Sequence, residues 1–178
     1  MRRTVVSIGL VVAVELVLYV RYAVAGAQFH FWLHGLFGFA LGLSVLTVAR
    51  LLRPRLRLRS SESGLLGQMY SAVPDVLFAA FGLLHVLWMD IFAFHVSLHF
   101  IPAPLVTMTG VLMLAVGSET ASRLGLRKTA AVGIAAAVGV SGAALLLRDP
   151  VPGSLRELHQ RPGLALVCPL AGIDRREP

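Results

Sequence analysis

The sequence predicts an all-α protein, a polytopic transmembrane bundle of about five membrane-spanning helices. Three observations lead there. Hydrophobic residues make up 57% of the 178 and charged residues 14%, with a mean hydropathy of +0.79, far from the profile of a water-soluble domain. The apolar residues gather into runs of roughly 20, the length that crosses a hydrocarbon core about 30 Å thick at about 1.5 Å rise per residue. Most of the arginines fall outside those runs.

The first run covers residues 4–25. Met1-Arg2-Arg3 before it resembles the start of a signal peptide, but the run is too long for such a signal, and no small-x-small cleavage site leads into a soluble domain. It is predicted to be a retained helix. The second run, residues 29–52, leads into the main polar loop at 50–63, where Arg50, Arg53, Arg55, Arg57 and Arg59 precede the flexible string Ser60-Ser61-Glu62-Ser63-Gly64. The third run is 74 to about 94, the fourth 105–122 and the fifth 129–147. Residues 1–149 thus form the transmembrane domain and 150–178 an extramembrane tail. Pro150, Pro152, Pro162 and Pro169 argue against a long helix in that tail.

Arginine placement sets the orientation, because cytoplasmic loops carry the Lys/Arg excess. Arg2, Arg3, the arginine-rich loop, Arg123, Arg127 and Lys128 share one side, while the connections around 26–28 and 102–104 carry no basic residue. The N-terminus is predicted cytoplasmic and, with five helices, the C-terminal tail outside. A four-helix topology with an inside tail is the alternative. The net charge of +7 follows from this topology and from attraction to anionic membrane lipids. Without aromatic-basic interleaving, no nucleic-acid partner is expected. The single cysteine, Cys168, excludes an internal disulfide and cysteine-rich metal sites, leaving His, Asp and Glu as ligands.

Of the 6 histidines, His30, His34, His85, His95 and His99 lie in or beside the apolar runs. Ionisable groups are costly in a membrane, so their clustering points to a site. Two H-x-x-x-H pairs, His30/His34 and His95/His99, are predicted at the same outer end of neighbouring helices, each pair on one helical face. Together they suit zinc or another imidazole-preferring divalent metal, with a water position left open in a catalytic version. Asp90, about 7.5 Å deeper than His95 along a helix, is the candidate base or orienting carboxylate. His85, about 15 Å below His95, is too far to share the ion and is read as a relay group or a separate cofactor ligand. The plainer reading of the interfacial histidines is an amphipathic belt, and that of His85 an interhelical hydrogen bond.

The run Ser71-Ala72-Val73-Pro74-Asp75, followed by His85, Asp90 and His95-x-x-x-His99, with an earlier His34-Gly35 opening a Gly/Ala-rich helix, resembles the pattern of polytopic membrane proteins labelled metal-dependent hydrolases. The resemblance covers residues 30 to 100 and implies functional roles for His34, Asp75, His95 and His99. The predicted topology places Asp75 differently. At the inner start of the third helix it would lie about 30 Å from His95, with Pro74-Asp75 acting as a helix-start signal.

Glu15, in the middle of the first run, is a candidate for proton or cation handling. Gly38-x-x-x-Gly42 and the glycines of the fifth run offer close-packing faces that suit helix pairing within the chain or a homo-oligomer. Three function classes follow: a metal-dependent hydrolase acting at the membrane, a redox subunit with haem held by His34 and His85 or His95, and a non-catalytic scaffold or small transporter.

Overall fold

The structure, a computed structural model, describes residues 2–24, 28–56, 58–81 and 87–151. His85, Arg57 and the tail from 152, with His159 and Cys168, lie outside the described residues. Every regular element among those described is helical: α1 (Arg2–Val24), α2 (Gln28–Leu52), α3 (Ser60–Ser71), α4 (Val73–Phe81), two short 3-10 turns at Leu87–Ile91 and Ser97–Phe100, α5 (Pro104–Arg123) and α6 (Arg127–Leu146). Three of them, α2, α5 and α6, are long and apolar enough to cross a membrane. Their outward faces carry large apolar side chains such as Val45, Val106, Met113, Val132 and Val138.

Local chemistry explains the boundaries. α2 stops at Leu52, just ahead of Pro54, which cannot continue the hydrogen-bond ladder. α5 opens on Pro104 at its first turn, where a missing N–H is harmless. The α5–α6 connection is a Schellman turn: Gly125 takes φ +78, Leu126 N–H donates to Ala121 O and Gly125 N–H to Ser122 O. That turn folds α6 back along α5.

The main difference from expectation is the third limb. Residues 74 to 94 do not form one helix. α4 ends at Phe81, and beyond the undescribed residues the chain continues as the 3-10 turn Leu87–Ile91, bends over 92–96, and enters the second 3-10 turn. The limb that runs back along α2 is α3, from the stretch read as loop punctuation. Small residues make this possible. A side chain on Gly42 would collide with Ser63 O, and one on Gly67 with Gly38 O and Gly42 N, so the α2 and α3 backbones touch. Gly38 and Gly42 are therefore used inside the chain, whereas Gly139 and Gly142 on α6 face open space.

The core joins Leu33, Phe37, Ala40 and Leu43 of α2 to Met108, Val111 and Ala115 of α5 and Ala137 and Ala144 of α6. At the arginine end a polar knot ties four helices. Arg50 donates to Glu119 and to Leu58 O, Ser60 Oγ donates to Glu119 Oε1 at 2.5 Å, and Arg127 reaches Leu51 O at 2.6 Å. Glu119 is buried.

Candidate metal centre

At the opposite end of α2, His30 and His34 stand one turn apart on the face turned to the core, 0% and 2% exposed, while Trp32 points outward. Tyr22 of α1 covers this face, stacking on His30 with ring centroids 4.7 Å apart. Asp75 arrives from the first turn of α4, because α3 has carried the chain back along α2, and it too is buried. The expected separation of about 30 Å between Asp75 and His95 is thus corrected: His95 Nε2 lies 3.2 Å from Asp75 Oδ1. The same oxygen accepts the Tyr22 hydroxyl at 2.5 Å and meets His30 Nε2 at 2.7 Å.

His95 and His99 were expected one turn apart on a helix. Instead, His95 follows Ala93 and Phe94, both left-handed with φ 59 and 54, and His99 sits in the second 3-10 turn. A left-handed residue with a side chain costs about 1–2 kcal/mol, so this bend is held by its surroundings. Both imidazoles are buried, and His34 Nε2 meets His99 Nε2 at 3.0 Å. His34 and His95 stack at 3.7 Å with an interplanar angle of 12°.

The hydrogen bonds assign the nitrogens. His95 Nδ1 lies 3.0 Å from Ser71 O, a carbonyl that can only accept, so Nδ1 carries a proton. Nε2 faces the Asp75 carboxylate, an approach that a proton or a metal cation between the two atoms makes favourable. His30, His34 and His95 each offer a ligand atom within 4.8 Å of the others, all on buried residues. Tetrahedral zinc holds its nitrogens about 3.3 Å apart, so sharing one ion would require the stacked His34 and His95 rings to rotate toward it. His34 Nδ1 and Ser71 Oγ are buried with no hydrogen-bond partner among the described residues, a further sign of a site built for a ligand.

Four of the sequence-predicted metal residues, His30, His34, His95 and His99, therefore converge. Asp90 does not join them. Its Oδ1 accepts the N–H groups of Val96 at 2.8 Å and Ser97 at 2.9 Å, and its Oδ2 accepts the Ser97 hydroxyl. Glu15 is half-buried on α1, two turns before Tyr22 on the same face. Periodicity and topology passed over Asp75, Tyr22 and Ser71, and the only sequence signal for Asp75 was its place in the resemblance. The parallel stack of His34 on His95 is not an axial pair, since two axial imidazoles sit on opposite faces of a macrocycle with iron between them.

No family model, curated protein or solved structure matches the chain.

Proposed function

We propose that the chain is an integral membrane metalloprotein, and that it acts as a metal-dependent hydrolase through a centre formed by His30, His34 and His95 with Asp75 beside them. The observation that carries this reading is the approach of His95 Nε2 to Asp75 Oδ1 at 3.2 Å while Nδ1 is committed to Ser71 O. Zinc, or another divalent ion that favours imidazole and carboxylate, suits this donor set. When bound, such an ion supplies Lewis acidity toward water or a carbonyl oxygen.

The chain's own residues supply the rest. Asp75, held by the Tyr22 hydroxyl and His30, orients the imidazoles and accepts a proton. His99, against His34, offers a further ring for proton transfer. The resemblance to membrane metal-dependent hydrolases supports the reading, since its four implied residues, His34, Asp75, His95 and His99, meet at this end of the bundle. The charge distribution supports an N-terminus in the cytoplasm and a site near the outer face: His30 and Arg50 stand at opposite ends of α2, about 30 Å apart.

The test is the metal content of detergent-purified protein by elemental analysis, beside a His34→Ala/His95→Ala variant, with hydrolysis of ester- and amide-linked lipids in mixed micelles. Near-stoichiometric zinc that the double variant loses, with turnover abolished by chelation and restored by zinc, is the expected result. Equal metal content in the two proteins overturns the metal centre. Bound metal without turnover of any lipid overturns the hydrolase assignment.

A further inference from the structure

His95 and His99 belong to a segment without continuous helix, so something other than a helical ladder must hold them in register. Asp90 supplies one half. Its carboxylate gathers the Val96 and Ser97 N–H groups and the Ser97 hydroxyl, which closes the bend around His95. The other half comes from the end of α6. Arg148, just past α6, donates to Ser97 Oγ and stands 3.9 Å from Asp90 Oδ2. Asp149 N–H donates to Phe100 O at 2.8 Å, the residue after His99.

We propose that Asp90 and Arg148 form a clamp that fixes the positions of His95 and His99, making the end of α6 a positioning device for the metal centre. The inference rests on the metal-centre reading for its consequence, although the clamp itself consists of contacts between protein groups. Guanidinium geometry matters to it. A planar fork can serve the Ser97 hydroxyl and the Asp90 carboxylate together, whereas a lysine ammonium is a point charge on a flexible stem. Outer partners of metal-binding histidines alter affinity by about 10–100-fold when removed.

The experiment compares wild type, Arg148→Ala, Arg148→Lys, Asp90→Asn and Arg55→Ala, the last a control at an exposed residue of the opposite end of the bundle. Cobalt(II) binding is read by affinity and by visible absorption, which reports coordination geometry. In parallel, metal-free protein is treated with diethylpyrocarbonate, and carbethoxylation of His95 and His99 is followed by peptide mass spectrometry. Arg148→Ala and Asp90→Asn are expected to weaken cobalt binding tenfold or more, shift the spectrum, and speed modification of both histidines several-fold. Arg148→Lys is expected to recover part of each, and Arg55→Ala to leave spectrum and labelling unchanged. If wild type binds no cobalt, the metal-centre reading falls and labelling alone decides the clamp. Wild-type labelling rates in Arg148→Ala and Asp90→Asn overturn the clamp, and so does an equal change in Arg55→Ala.

Discussion

Asp75 Oδ1 lies 2.7 Å from His30 Nε2, bridging 45 residues of chain and joining the start of α4 to the start of α2. A buried carboxylate needs partners, and this one finds Tyr22, His30 and His95. The contact therefore ties α1, α2, α4 and the bend carrying His95 at a single atom.

Asp75→Asn tests how far the centre depends on that atom. The amide keeps the shape and removes the charge that attracts a cation. Zinc affinity, measured by competition with a chromogenic chelator, is expected to fall about 10–100-fold. Helical content by circular dichroism should stay at the wild-type level. Unchanged affinity would remove Asp75 from the centre.

The close approach of α2 and α3 gives a second prediction. Gly42→Ala places a methyl group against Ser63 O, which belongs to backbone and cannot swing aside. Overpacking of this kind costs about 1–3 kcal/mol, and separating α3 from α2 also displaces Asp75. Thermal unfolding in detergent should show a lower midpoint, together with weaker metal binding. Gly139→Ala on α6, where nothing lies within 4 Å, should leave both unchanged.

The same contact explains what was legible in the sequence. α2, α5 and α6 were readable because long helices with apolar outer faces announce themselves by unbroken apolarity, and the histidine pairs because imidazoles stand out in such runs. α3 was not readable. Its Ser60, Ser61, Glu62, Ser63, Gly64 and Gly67 look like a loop, since a helix that packs on another through glycines and serines needs little hydrophobicity of its own. Placing the third limb at 74 to 94 put Asp75 at the wrong end and made Asp90 the natural acid. Hydropathy measures how apolar a stretch is and says nothing of whether it runs straight. The left-handed Ala93 and Phe94 carry no glycine signal that would have marked the bend.

Topology can be checked directly with single cysteines introduced in a Cys168→Ser background. Ser61 is exposed at the arginine end and Asp149 is exposed beside Phe100 at the histidine end. A membrane-impermeant maleimide applied to intact cells is expected to label Asp149→Cys and to reach Ser61→Cys only after permeabilisation. The reverse pattern would place the histidine centre on the cytoplasmic side.

The knot at the arginine end should matter to stability and not to metal. Glu119 is buried, with Arg50 and Ser60 as its partners, so Arg50→Ala leaves a carboxylate in an apolar setting with only a hydroxyl to bind. Removing one member of a buried pair costs about 3–5 kcal/mol, whereas replacing both by apolar residues of similar volume is often neutral. Unfolding in detergent should therefore show a large loss for Arg50→Ala and a smaller one for Arg50→Met/Glu119→Met. Zinc affinity in both should match wild type, because the pair stands about 30 Å from His30 along α2. A double variant as unstable as the single one would mean that the pair contributes attraction beyond its desolvation cost. A loss of zinc affinity in either would mean that the two ends of the bundle are coupled through α2.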